Sequence, residues 1–109
     1  MKTSHTLLAL ALAGSAMTAY GADAATNWTD HCAKCHGDDG RGDTKSGRKL
    51  EIADLTDPKV QAKFKDEDVI KSIKDGIKDK AGKMAMKPIE GLSDDEMKAL
   101  IPVVRSFKK

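Results

Sequence analysis

The chain is poor in the residues that usually organise a fold. Its 109 residues hold two cysteines, three prolines, one tryptophan, one tyrosine and two phenylalanines. Two thiols are too few for a Cys-ligated iron–sulfur cluster, which takes four. Four aromatic side chains leave a globular core thinly supplied and provide no set on which nucleic-acid bases could stack. No long basic run is present, and a net charge of +2 is too mild to argue for nucleic acid. No apolar run reaches the length needed to span a bilayer. Period-two alternation is scarce, so little strand is expected, and there is no internal repeat or low-complexity segment.

Both cysteines fall in one five-residue stretch, Cys32-Ala33-Lys34-Cys35-His36. Cys-x-x-Cys-His is a site of covalent haem attachment. On a helix, residues three and four apart share a face, so Cys32 and Cys35 present two thiols to the vinyl groups on one side of a haem, and His36 is aimed at the iron. A zinc site would have to recruit His31 as well, and four ligands within six residues can hardly wrap a tetrahedral ion. A redox dithiol calls for a βαβ context that this sequence does not show.

The first residues have the form of a secretory leader: Lys2, an apolar run from Leu7 to Ala13, and the small-residue pattern Ala22-Asp23-Ala24. A signal peptide over 1–24 is expected, with a cut after Gly21 as a second possibility. Export combined with the haem motif points to a bacterial periplasm. The remaining segment, 25–109, is one small domain. A chain of that size buries little core and usually needs a staple, which a covalent haem supplies. Its removal of Lys2 and Asp23 leaves the net charge unchanged.

Along 25–109, Asn27 is a candidate N-cap, and Trp28, Cys32 and Cys35 share a helical face. His31 sits about 140° from His36 on a helix and should point to solvent. Gly37 to Asp43, with three glycines and three aspartates, is a loop; it lacks the Lys-Ser/Thr ending of a phosphate cradle and the closing glutamate of a calcium loop. Thr44 to Asp57 is expected to be extended or irregular, laying Leu50, Ile52 and Leu55 on the haem. Asp57-Pro58 marks a boundary, followed by a short helical turn over 59–63. Asp66-Glu67-Asp68 opens a helix, with Val69, Ile70, Ile73 and Ile77 repeating at helical spacing as a core stripe and Gly76 suited to its end. The stretch 77–87 is lysine-rich and loses periodicity. A last helix starts near Leu92, with Ser93 and Glu96 as a capping box, Leu92 and Met97 as a hydrophobic staple, and Pro102 as an expected kink.

Met84 and Met86 are both placed to approach the iron from the stretch before the last helix, while the staple commits Met97. Pro88 stiffens the chain just after Met86, which favours Met86; Met84 would then be an apolar filler.

Taken together, Cys-Ala-Lys-Cys-His-Gly, Asp54-Leu55-Thr56-Asp57-Pro58, Met86-Lys87-Pro88 before Leu92-Ser93-Asp94-Asp95-Glu96, and the ending Val104-Arg105-Ser106-Phe107 resemble a class I c-type cytochrome. The resemblance implies an all-α fold of about four short helices around one haem, with the first and last helices crossing. It implies Cys32 and Cys35 as thioether residues, His36 as proximal and Met86 as distal ligand, and a monomeric electron carrier, not an enzyme. A haem enzyme or gas binder would need a vacant distal position. The expected partner is a reductase or terminal oxidase complex with an acidic docking patch, met by Lys45, Lys83 and Lys87; neither nucleic acid nor stable membrane insertion is expected. The chain departs from the family pattern at Val103, where an aromatic is common. No proline-containing loop is evident around Ser46-Gly47-Arg48, and a crossing glycine is missing near Ala24-Ala25.

Overall fold

The computed structural model describes residues 23–109, so the leader expected over 1–24 lies outside the described residues apart from Asp23 and Ala24. The first helix, α1 (Ala24–His31), starts one turn earlier than Asn27 would have capped it. Asp23 is the cap: its carboxylate accepts from the Thr26 N–H at 2.8 Å, and its carbonyl from the Asn27 N–H at 3.0 Å. Asn27 instead lies inside the helix, 3 % exposed, and its Nδ2 donates to Glu96 at 3.0 Å. Cys32 leaves helical geometry (φ −120°, ψ −40°), which separates α1 from the single turn α2 (Ala33–His36).

The glycine- and aspartate-rich segment that follows is a loop, as its composition dictates. Gly40 has φ +75°, and a Cβ there would stand 2.6 Å from the Phe107 ring, so both conformation and space demand glycine. The segment after it departs from expectation. A helix, α3 (Lys45–Leu50), replaces part of the extended stretch; Thr44 caps it by accepting from the Gly47 N–H at 2.8 Å, and Glu51 closes it in the left-handed region. Leu50, Ile52 and Leu55 carry no helical period, so only the cap residue signalled this turn. Pro58 occupies the first turn of α4 (Pro58–Gln61), where its missing N–H costs nothing.

Helix α5 (Asp66–Asp75) follows its acidic first turn and stops at Gly76, so Ile77, expected on its core stripe, falls outside it and is exposed. The aperiodic stretch after it is a small antiparallel hairpin, β1 (Ile77–Lys78) with β2 (Met84–Met86), pairing Ile77 with Met86 and Lys78 with Met84 across a bulge. Its turn is tied by the Asp79 carboxylate, which accepts from the N–H groups of Ala81 and Lys83, both at 2.9 Å. The last helix, α6 (Asp94–Ser106), has the expected capping box: Glu96 N–H to Ser93 Oγ at 3.0 Å and Ser93 N–H to the Glu96 carboxylate at 3.1 Å. It runs on through Pro102, which is exposed.

Six helical segments thus make the described residues mostly α. Helix α6 packs against both α1 and α5. Where they meet lies a thin core of Trp28, Cys32, Leu55, Ile73, Met97, Leu100 and Val104, of which only Leu100 is almost wholly enclosed. Phe107, at the end of α6, places its ring 4.9 Å from that of Trp28. No helix among the described residues is long and apolar enough to cross a membrane.

Candidate haem site

The core is thin because it surrounds a divided crevice. Two cavities, of about 220 and 510 Å³, share Cys32, His36 and Met86 in their linings. Together they fall within the size range of small-molecule and cofactor sites, about 300–1,000 Å³. The smaller is walled mainly by apolar side chains of α1, α5, α6 and the segments between, including Trp28, Leu55, Phe64, Ile73, Leu100 and Val104, with Asp68 and Ser72 of α5 also in its lining. The larger is lined by Cys35, Leu50, Ile52 and Met84, and its charged or ionisable neighbours other than His36 and the cysteines are His31, Lys34 and Lys87; no carboxylate lines it.

The break at Cys32 still leaves the motif on one side of the crevice. Cys32 is 8 % exposed and Cys35 half-buried, and both are free thiols. Burial, and secondarily the charge of Cys35, pushes the Cys32 thiol up to about 11. Burial lowers the His36 pKa, so the imidazole is held neutral, which is the form that ligates a metal.

His36 is positioned from behind. Its carbonyl accepts from the Gly42 N–H at 2.7 Å, which folds the glycine loop back beneath it. Thr44 Oγ1 donates to the Cys35 carbonyl at 2.7 Å. Gly47 closes this backing where a proline-containing loop is usual in the family: a Cβ there would clash with the carbonyls of Cys35 and Gly42. Trp28 stands beside the imidazole, ring centroids 5.6 Å apart, and its Nε1 donates to the Gly37 carbonyl at 3.0 Å. The Nδ1 of His36 is buried with no hydrogen-bond acceptor among the described residues.

Met86 is brought to the crevice by β2. Gly76, with φ +74°, lets the Met86 carbonyl pass where any Cβ would collide with it, and the Ile89 N–H donates to the Ile73 carbonyl at 2.8 Å, tying the strand's exit to α5. Met84 lies on the same strand but is 41 % exposed and lines only the larger cavity. His31 is exposed but lines the larger cavity, because the break at Cys32 removes the single-helix offset from His36 that would have turned it away. Among the described residues no three His, Cys, Asp or Glu side chains cluster to hold a bare metal ion.

Paired thiols, a neutral half-buried imidazole, a thioether from a separate element and mainly apolar walls fit a flat apolar macrocycle with a metal at its centre. Three features of the site escaped sequence reading: α3 and its Gly47 backing, the Phe64 wall, and the Trp28–Phe107 stack. Thr44 at a cap position was a usable signal for the first; nothing local marked the other two.

Known proteins agree with this geometry. The sequence model of the cytochrome c family matches residues 21–108. Among solved structures, the KustC0563 c-type cytochrome is 38 % identical, with a TM-score of 0.69 over 81 % of this chain and 100 % of that one. A tyrosine-to-phenylalanine variant of KustC0563 matches at 38 % identity with a TM-score of 0.66, covering 80 % and 100 %. No curated protein sequence matches. With a family match over most of its length and the attachment motif lining the crevice, the chain belongs to the cytochrome c family, whose members typically carry electrons on a covalently bound haem.

Proposed function

We propose that this chain is a periplasmic one-electron carrier whose haem c is bound through Cys32 and Cys35 and ligated by His36 and Met86. One observation carries the reading: His36 and Met86, from separate elements, both line both halves of the crevice, as does Cys32. When bound, haem supplies a one-electron couple at its iron. The chain's own residues do the rest. His36 offers a neutral nitrogen, and Met86 a thioether that favours a higher potential than a second nitrogen would. With His36 and Met86 both held to the iron, no place would remain there for a substrate. The apolar wall from Trp28 to Val104 keeps water away. Mass spectrometry of the mature protein should give polypeptide plus one haem. The ferric form should show a near-infrared methionine–iron band and bind no carbon monoxide; free binding of carbon monoxide would reject the carrier reading in favour of a gas binder or enzyme.

The larger cavity opens between cationic and apolar groups. Lys34 and Lys87 line it, Lys45 and Lys83 are exposed nearby in sequence, and Leu50, Ile77 and Met84 are exposed apolar side chains at the cavity linings. This surface fits a redox protein with an acidic patch, the apolar groups making the contact and the lysines the steering. Association rates with such a partner should fall as salt rises; rates indifferent to ionic strength would remove the steering.

Export completes the proposal. A cut after Ala24 would remove Asp23 and with it the cap of α1, whereas a cut after Gly21 keeps it. The mass of the mature chain separates the two.

A further inference from the structure

Three residues of the smaller cavity's wall, Leu55, Phe64 and Val104, come from three different parts of the chain, and their backbones meet in one polar cluster. Gln61, 4 % exposed, donates through Nε2 to the carbonyls of Leu55 at 2.7 Å and Val104 at 2.9 Å. Its own side-chain oxygen accepts from Arg105 Nη1 at 2.9 Å, as does its carbonyl at 2.7 Å. Arg105 Nη2 donates to the Phe64 carbonyl at 2.8 Å, and its guanidinium lies over the Phe64 ring, 4.3 Å from the centroid. Nε is taken by Asp66 at 2.9 Å. The planar fork has donors at Nε, Nη1 and Nη2 all engaged, so Arg105 is not a solvated cation awaiting a partner.

From this geometry we infer that Arg105 is a positioning residue for electron transfer: it holds Phe64, and through Gln61 also Leu55 and Val104, as one closed wall against the haem. The inference rests on the reading that haem fills the crevice. Its physical content is water exclusion. The shell around a redox centre sets solvent access and local polarity, and a wetter, more polar site favours the more highly charged ferric state. Lysine cannot take over, because a point charge on a flexible stem does not reproduce a fork that bonds Gln61, Phe64 and Asp66 at once.

The test uses the haem-loaded protein and the variants Arg105→Lys, Arg105→Gln and Phe64→Leu, with reduction potential, the near-infrared methionine band and melting temperature measured on each. All three variants should shift the potential downward while keeping the band. Arg105→Lys should shift like Arg105→Gln, although it keeps the charge. Wild-type potentials in both Arg105 variants, with only the melting temperature lowered, would make the residue structural and overturn the inference. A wild-type potential in Arg105→Lys beside a shifted one in Arg105→Gln would assign the effect to charge and overturn it as well. A wild-type mass without haem would instead sink the underlying reading. Arg105→Lys and Phe64→Leu are the milder changes, so they carry the test should Arg105→Gln fail to mature.

Discussion

The side of the crevice that carries Cys32, Cys35 and His36 is helical and backed by a folded-in loop: the Gly42 N–H, the Thr44 hydroxyl and the Trp28 indole all bond to backbone within or just after the motif. The side that carries Met86 is a three-residue strand, with the Ile89–Ile73 bond and the close approach over Gly76 holding its exit. Ile77 and Met84 on this hairpin stay well exposed, while Trp28 and Cys32 are almost enclosed. On the proposed reading, one side is an anchor and the other a contact. An anchor would have to survive the cycling of the iron between two charges. A distal thioether would need only to be held near enough to bind, for which a surface strand suffices.

The largest test of this contrast is removal of the anchor. Replacing both Cys32 and Cys35 by Ser should abolish covalent haem altogether, read as bare polypeptide mass and no haem stain on a denaturing gel. Next comes the contact. Met86→Ala should leave haem attached but lose the methionine–iron band, lower the potential and open the iron to carbon monoxide. Met84→Ala should retain the band and cost only about 1 kcal/mol, because the residue is 41 % exposed and little packing is lost. A band that survives Met86→Ala and disappears in Met84→Ala would reverse the assignment.

Smaller is the effect of Gly40→Ala. It forces a side chain into a left-handed conformation and against the Phe107 ring that packs on Trp28. A loss of about 2 kcal/mol is expected, or roughly 10 °C in melting temperature, with the band unchanged. The smallest involves Glu96. Hydrogen bonds from the Ser93 N–H and then Asn27 hold its carboxyl below the ordinary value of 4.5. A depressed acid contributes stability above its unfolded pKa and loses it as pH falls through the folded one. Melting temperature should therefore begin to drop below about pH 4.5, and Glu96→Gln should flatten the part of that slope due to this carboxyl. An unchanged slope in Glu96→Gln would show that the Ser93 and Asn27 bonds to it contribute nothing to the pH dependence.

The same contrast explains what the sequence made legible. The attachment motif, the acidic opening of α5, the Pro58 turn and the Ser93–Glu96 box are local signals, complete within a few residues, and the structure has each. The Met84–Met86 hairpin was not legible because two- and three-residue strands leave no period to read. Asn27 was a sound cap by type, but Asp23 is one too, and the chain had already turned helical. The wall held by Arg105 joins residues 41 and 44 positions apart, which no local pattern reports. The proposed distal ligand was singled out among three methionines by its neighbours Pro88 and Leu92, not by any property of its own.

Cys32 is 8 % exposed, and its thiol is pushed up to about 11. Thiol chemistry runs through the thiolate, which burial disfavours here, and the approach left to this sulfur is the crevice it lines. A reagent arriving from bulk water meets the half-buried Cys35 sulfur more readily than this one.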